Sequence, residues 1–423
     1  MRMTITLVNR PLGFINLNAE ANIRSLLVIG IDVVSLATST NKAGYQVYAV
    51  DYFGDQDIKR VCRKSRSIIK QKAKESCGRL SIDFNYKTLL QLVKEISKEH
   101  KIDATLLASG LDDFPDVLIE INDLIPILGN NPDIIKRVRN KTTFFQELKH
   151  LGVPHPETAI VEDFGEAKSK SKHVGYPVVV KPSCSSGGMG VRKVRNTQEL
   201  ERAYKDASFF SEEVLIQEHI SGTPASASLI SSAKGIAILT LNEQLLGMQE
   251  VNQCEPFGYC GNIVPLPATK TVTDACEGIV KKIASYFSLV GSNGVDLVIS
   301  KEGAPYVIEV NPRFQGTLEC VERVLGINLV KAHAKACIQG TLPKALKEAS
   351  VFCTRLILFA SQCSVVPDLS VIDEARDIPL PGVVVEQGEP VCSIVAEGTD
   401  RDSSLRKAKN IVKLIRSSLK PCS

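Results

Sequence analysis

The sequence carries no strong charge of either sign: 423 residues sum to a formal net charge of only +4. That is too weak a field to draw the whole molecule onto nucleic acid or an anionic membrane, so neither is expected as a partner. No apolar run approaches the about twenty residues that span a bilayer, and the longest, Ser25 to Ala37, is interrupted by Asp32. None of the twelve cysteines forms a CxxC pair, and the nearest two, Cys254 and Cys260, have no second pair at zinc-site spacing. Structural zinc is therefore not expected. With no signal-peptide pattern ahead of the cysteines, reduced thiols in a soluble, cytoplasmic protein fit best. Internal repeats and low-complexity segments are also missing. The stretch Lys59 to Lys74 lacks any acidic residue among Lys59, Arg60, Arg63, Lys64, Arg66, Lys70 and Lys72. It reads as a solvated face rather than a polyanion site.

A hydrophobic content of 44% with 23% charged residues is that of an ordinary globular chain, long enough for several subdomains. Leu26 to Gly30 reads as a buried strand, followed by a helix through Leu36 and Ala43 and a second strand from Tyr45 to Val50. This βαβ opening predicts a parallel sheet. Asp51 stands where a dinucleotide site has its acidic residue, but the first turn offers only Gly30 in place of GxGxxG, which rejects a nicotinamide dehydrogenase. A helix at Leu89 to His100 and a strand at Ala104 to Ala108 continue the alternation, and the domain is expected to close near residue 130. Gly152 to Pro156 then looks like a linker. Strands at Tyr176 to Pro182 and Val214 to Glu218 flank a helix that starts on the Asn196/Glu199 capping box, and beyond them the pattern is antiparallel sheet with an amphipathic helix around Ile279 to Phe287. The last portion, from about Val351, alternates short strands with Pro/Gly turns and ends in a basic amphipathic helix. The fold class is α/β followed by α+β.

Two segments carry chemistry. Lys181-Pro-Ser-Cys-Ser-Ser-Gly-Gly-Met-Gly190 places a lysine at a strand end before a small-residue loop. In such a loop Ser185, Ser186, Gly187, Gly188 and Gly190 let backbone N–H groups close on phosphate oxygens, with Lys181 adding a compact positive charge. The lysine precedes the glycines and no GK[ST] follows, so this is not a P-loop; an ordinary tight turn is the other reading. The second segment pairs Gly294-Val-Asp296 with Tyr306-Val-Ile-Glu309-Val-Asn311-Pro-Arg313 across a turn at Lys301 to Gly303. An antiparallel hairpin sets Glu309 and Asn311 on one face, with Asp296 facing them from the partner strand. Three converging oxygen donors suit Mg²⁺, and Arg313 beyond them suits a transferring phosphoryl group. A solvated acidic strand face is the alternative.

In order and spacing, these elements resemble the ATP-grasp superfamily over most of the chain. Closer in, Tyr45 to Asp55 and Asp377 to Gly382 resemble a group of mainly archaeal carboligases without an assigned substrate, and more distantly the pyrrolysine-pathway ligase. The resemblance implies a Rossmann-like pre-ATP-grasp domain at residues 1–130. An ATP-grasp domain follows at 131–345, with a small lobe at about 155–222 and a large lobe at about 223–345, and then a small C-terminal β-rich domain with a terminal helix at 346–423. It adds Lys141 as a second phosphate contact and makes the hinge Gln217, Glu218, His219 and Ile220 the adenine slot, with backbone groups of Glu218 and Ile220 on the adenine edge. Asp296, Glu309 and Asn311 fall on the metal-ligand pattern, and Arg313 and Lys181 on the catalytic positions. The ribose-binding glutamate common after the hinge is replaced by Thr223-Pro-Ala-Ser226. Phe257 to Asn262 is either a glycine-hinged cover for the second substrate or a structural Ω-like loop, and Gln315 to Glu319 is a further substrate loop with Glu319 as a candidate amine contact.

The implied activity is an ATP- and Mg²⁺-dependent (or Mn²⁺-dependent) ligase. It converts a small-molecule carboxylate to an acylphosphate and couples it to an amine or similar nucleophile, releasing ADP and phosphate. Two alternatives stand beside it: an ATP-dependent carboxylase using bicarbonate, although no biotin-attachment Met-Lys-Met is present, and a nucleotide-binding regulator without chemistry. A homodimer is compatible with all three.

Overall fold

The structure is a computed structural model that describes residues 23–76, 85–185, 187–343 and 349–422. The amino-terminal half-domain is a parallel four-stranded sheet in the order Lys64–Ser67, Gln46–Asp51, Ser25–Ile29, Ala104–Leu107. Every residue of Ser25–Ile29 is buried, as a continuous apolar run demands when helices cover both faces of a parallel sheet. Among those helices are Val34–Lys42 and Tyr86–Glu99; the latter starts where the Asn85 side chain accepts from the Lys87 and Thr88 amides. The basic stretch supplies the sheet's edge: Lys64–Ser67 is an outer strand with none of its residues fully buried. Charge on an edge discourages a further strand from pairing there.

Two larger antiparallel sheets follow, beside a small three-stranded one of Val384–Val385, Ser364–Val365 and Lys420–Pro421. A four-stranded sheet runs Thr158–Val161, Val214–Glu218, Val178–Pro182, Arg192–Val194. Helices Phe164–Val174 and Thr197–Ser208 close its core of Val161, Val178, Val180, Leu200 and Ile216. The larger sheet has eight strands, beginning at Pro305–Asn311 and Gly291–Ser300 and continuing through Gly222–Ser232, Gly235–Leu246 and Tyr259–Val264. Phe352–Phe359 pairs with Tyr259–Val264, so the same sheet runs on through Pro390–Gly398 to Ala375–Arg376. The terminal helix Arg401–Ser418 buries Ala408, Val412 and Ile415 in the core of this end. None of the described helices is long and apolar enough to cross a membrane.

What positions the later chemistry is the seam between the parallel sheet and the large antiparallel one. Asn130, 3% exposed, donates through Nδ2 to the Asn293 side chain (2.6 Å) and the Pro312 carbonyl (3.0 Å), while its Oδ1 accepts from the Val290 amide (2.8 Å). The Phe314 amide donates to the Leu107 carbonyl at 3.1 Å, tying the strand end at Asn311 to the edge of the parallel sheet. His333 completes the seam. Its Nδ1 accepts from the Ser292 amide and its Nε2 donates to the Leu128 carbonyl, both at 2.8 Å. That pair of bonds requires the neutral ring, and burial lowers the His333 pKa to about 4.

Because the folded pKa lies below the unfolded one, the stability His333 contributes is full above about pH 6.5 and is lost as pH falls toward about 4. The loss should reach about 3 kcal/mol. Urea unfolding across that window should therefore show a steeper acid decline for the wild type than for His333→Gln; parallel declines would remove His333 as the cause.

Candidate functional site

The hairpin predicted from the sequence is present. Gly291–Ser300 and Pro305–Asn311 pair antiparallel with Asp296 opposite Glu309 and Gly294 opposite Asn311. Alternation along the strand puts Asn311 on the same face as Glu309. Asn311 Nδ2 donates to Asp296 Oδ2 at 3.1 Å, and Gln244 Nε2 donates to Asp296 Oδ1 at 3.0 Å. Arg313 Nη2 donates to Asn311 Oδ1 at 3.0 Å. Asp296, Asn311 and Arg313 thus form one connected row, and Glu309 lies near enough for its charge to act on Asp296. No group of three or more His, Cys, Asp or Glu suited to a metal occurs among the described residues. Here two carboxylates and an amide oxygen are brought together, a donor set of the kind Mg²⁺ takes when nucleotide oxygens complete its shell.

Glu309 is the hub. Lys141, at the first position of helix Lys141–His150, donates from Nζ to Glu309 Oε2 at 2.8 Å, and Arg139 Nη1 donates to Glu309 Oε1. Arg139 is also held by Asp113 through two bonds of 2.6 and 2.8 Å. Asp112 lies 3.4 Å from Arg313 Nε and 3.6 Å from Arg139 Nη1. Asp112 and Asp113 come from the loop after the Ala104–Leu107 strand, so the parallel sheet contributes directly to the cluster. Burial opposes ionisation of Glu309, but Arg139 and Lys141 outweigh it and hold the carboxylate well below its usual range. Asp296 goes the other way: burial, reinforced by the neighbouring Glu309 charge, pushes it up to about 6. Lys181 reaches the cluster from the end of the Val178–Pro182 strand. Burial, followed by repulsion from Lys141, lowers its pKa to about 8.

Ser185, Gly187, Gly188 and Gly190 form the loop beyond Lys181; Ser186 lies outside the described residues. The three glycines have φ of +64°, +81° and +73°, a region that L side chains rarely enter. At Gly188 a Cβ would also meet the Phe257 carbonyl oxygen at 2.0 Å, and the Gly187 carbonyl accepts from the Tyr259 amide at 3.0 Å. The loop is therefore laid down on the Phe257–Tyr259 segment. That segment is only partly a loop, since Tyr259–Val264 is a strand of the large sheet, which restricts the expected mobile cover to its first residues.

In the hinge, Gln217 is buried and its side chain donates to Thr158 Oγ1 at 2.8 Å, a bond between strands that occupies its amide. The Glu218 amide donates to the Glu157 carbonyl at 2.8 Å, so it is the Glu218 carbonyl rather than its N–H that can read a base. His219 Nδ1 is buried without a partner among the described residues. Glu319 is not placed to meet an amine: it is bound by Arg323 at 2.7 Å and Arg376 at 2.9 Å. The residues that sequence reading passed over are Asp112, Asp113 and Arg139. Arg139 sits two positions before Lys141 and the acidic pair follows a buried strand, but no local pattern joins them.

Residues 138–317 match the family described as the ATP-grasp domain. An uncharacterised protein of Methanocaldococcus jannaschii is 27% identical over 377 residues, which is 88% of this chain and 88% of that one. The arginine-specific large chain of carbamoyl phosphate synthase from Bacillus subtilis is 30% identical over 207 residues, covering 49% of this chain but 20% of that much longer protein. Among solved structures, the biotin carboxylase of Campylobacter jejuni, solved as its beta-gamma-ATP complex, superimposes with a TM-score of 0.71 over 94% of this chain and 91% of its own, at 17% identity. The hairpin, the loop and the hinge all fall within the stretch that matches the ATP-grasp domain, residues 138–317, and the chain shares the fold of that carboxylase over 94% of its length.

Proposed function

We propose that the chain is a Mg²⁺-dependent, ADP-forming ligase that activates a small-molecule carboxylate with ATP and couples it to an amine or similar nucleophile in the cytoplasm. The observation that carries this reading is the convergence of Lys141, Lys181, Asp296, Glu309, Asn311 and Arg313 on one buried cluster from separate parts of the chain. Mg²⁺ (or Mn²⁺), when bound with nucleotide, would neutralise phosphate charge, and Asp296, Glu309 and Asn311 fit it because all are oxygen donors on one hairpin. ATP would lie between the small lobe at about 155–222 and the large lobe at about 223–345. Its adenine would meet the Glu218 carbonyl and Ile220, and its phosphates the loop at Ser185, Ser186, Gly187, Gly188 and Gly190. Lys141 and Lys181 would hold the phosphate oxygens, and Arg313 would steady the phosphoryl group as charge moves onto the departing ADP. When nucleotide enters, Glu309 would pass from its ion pairs to the metal, leaving Lys141 for the phosphates.

Bicarbonate as the activated carboxylate is a second reading, favoured by the 30% identity to carbamoyl phosphate synthase over 207 residues. It predicts ADP formation that depends on bicarbonate alone.

Incubation with Mg-ATP and a pool of small cellular metabolites should give metabolite-dependent ADP and phosphate, reduced at least about a hundredfold in Lys181→Ala. AMP and pyrophosphate as products would refute an acylphosphate route. Nucleotide affinity should be full below about pH 8 and fall up to about tenfold per unit above it, as free Lys181 loses its proton; Lys181→Arg should flatten that decline. An unchanged slope in Lys181→Arg would assign the titration to another group. Glu309→Gln should abolish turnover and lower unfolding stability by on the order of 2 kcal/mol, since it removes the carboxylate charge that Arg139 and Lys141 share. Full activity in this variant would reject the hub assignment.

A further inference from the structure

Ser364–Val365, the middle strand of the small sheet, pairs antiparallel with Lys420–Pro421, with Ser364 opposite Pro421 and Val365 opposite Lys420. One step outward the same register sets Cys363 opposite Cys422, and the Cys422 amide donates to the Cys363 carbonyl at 3.0 Å. Facing residues of a hydrogen-bonded antiparallel pair have their Cα atoms about 5.5 Å apart, within the roughly 4.4–6.8 Å that a disulfide bridges. Such residues also point their side chains to one face of the sheet. Here the two thiols meet, since that of Cys363 is hydrogen-bonded with that of Cys422. Both are free thiols and both are half-buried, so a small reagent can reach them.

A second thiol pair shows the difference that access makes. Cys320 and Cys353 also touch, but both are 0% exposed, which shields them from a reagent in water. In the outer pair the two sulfurs are not equivalent. The hydrogen bond with Cys422 chiefly, with burial and the nearby Glu386 and Glu389 charges behind it, raises the Cys363 thiol to about 11. The thiolate is the attacking form, so the first attack falls to Cys422 and the second to Cys363. The small sheet is also where separate parts of the chain are joined. Lys420–Pro421 directly follows helix Arg401–Ser418. On the opposite strand the Val384 amide donates to the Glu75 carbonyl at 3.0 Å, and beside it the Lys74 amide donates to the Gly382 carbonyl at 2.7 Å, both ties to the amino-terminal domain. The chain after the helix holds this sheet by a strand of 2 residues, both exposed. Short, exposed pairing of that kind opens readily, and a covalent tie next to it would change that most.

We propose that Cys363 and Cys422 form a reversible disulfide by exchange with a small-molecule disulfide, and that the bond fastens the end of the terminal helix to the small sheet. Cys422, as its thiolate, attacks one sulfur of the small disulfide, breaking that S–S bond and releasing one thiolate. Cys363 then gives up its proton and attacks the Cys422 sulfur of the mixed disulfide, forming the Cys363–Cys422 bond and releasing the second thiolate. Two protein thiols are oxidised, one small disulfide is reduced to two thiols, and the two protons pass to those products. An excess of small thiol runs the exchange backwards. The bond lies outside the ion cluster and does not depend on the ligase reading.

The test equilibrates the full chain with oxidised or with reduced glutathione, then alkylates, digests and reads the peptides by mass spectrometry, with amide hydrogen exchange followed on the same two samples. Oxidised glutathione should give a peptide linked through Cys363 and Cys422 within single chains, and reduced glutathione should remove it. Exchange over residues 416–422 should be about tenfold or more slower in the linked form. In Cys363→Ser, Cys422 should stop at the glutathione adduct, and exchange should no longer differ between the two samples. Free or separately glutathionylated Cys363 and Cys422 in the oxidised wild type, or linkage found only between two chains, would overturn the disulfide. Linkage that leaves exchange over 416–422 unchanged would overturn the fastening.

Discussion

The Glu309 carboxylate is the point on which the rest of the molecule converges. It is ionised in a largely buried place only because Arg139 and Lys141 hold it, and Arg139 is in turn held by Asp113 and approached by Asp112. A charge taken out of water must be compensated by partners in good geometry, so every segment supplying one is constrained by the others. The hairpin, the start of helix Lys141–His150 and the loop after the Ala104–Leu107 strand are thereby locked together. The same network sets Arg139, Lys141, Lys181 and Arg313 against Asp112, Asp113, Asp296 and Glu309, so each charge in it has a counter-charge nearby.

Architecture and electrostatics meet at the seam between the two large sheets. Asn130 bridges Asn293, Val290 and Pro312, and the Phe314 amide reaches the Leu107 carbonyl, so the chain on either side of Arg313 is anchored to the parallel sheet. His333 adds a third tie through a ring that must stay neutral. A protein that relied on the antiparallel lobes alone would not have Asp112 beside Arg313. A polar cavity lined by Asp32, Gln315 and Arg355 lies along the same seam, within a few residues of the ion cluster.

Local patterns carried much of this. The buried strand at Leu26 to Gly30, the hairpin around Lys301 to Gly303 and the terminal amphipathic helix follow from apolar runs and period, and the structure has them within a few residues of the expected bounds. Alternation along one strand was enough to put Glu309 and Asn311 on a common face. Position in the sequence said less about side-chain partners. Glu319 looked available for an amine and is instead paired with Arg323 and Arg376, the second of which lies 57 residues away. Gln217 donates its side-chain amide to Thr158 on the neighbouring strand, a partner 59 positions away.

By itself, the sequence determined the element types, the hairpin and its oxygen donors, the glycine loop after Lys181 and the absence of a strong overall charge. These depend on residue spacing within a few turns or strand repeats, where backbone geometry alone decides which side chains share a face. Only the tertiary structure decided that Arg139 and Lys141 converge on Glu309, that Asp112 stands against Arg313, and that Asp32 and Arg355, 323 positions apart, share one cavity. Those contacts cross between separately formed sheets. Their existence depends on how the sheets dock and on the energetic need to compensate buried charge, and neither leaves a periodic mark on the chain.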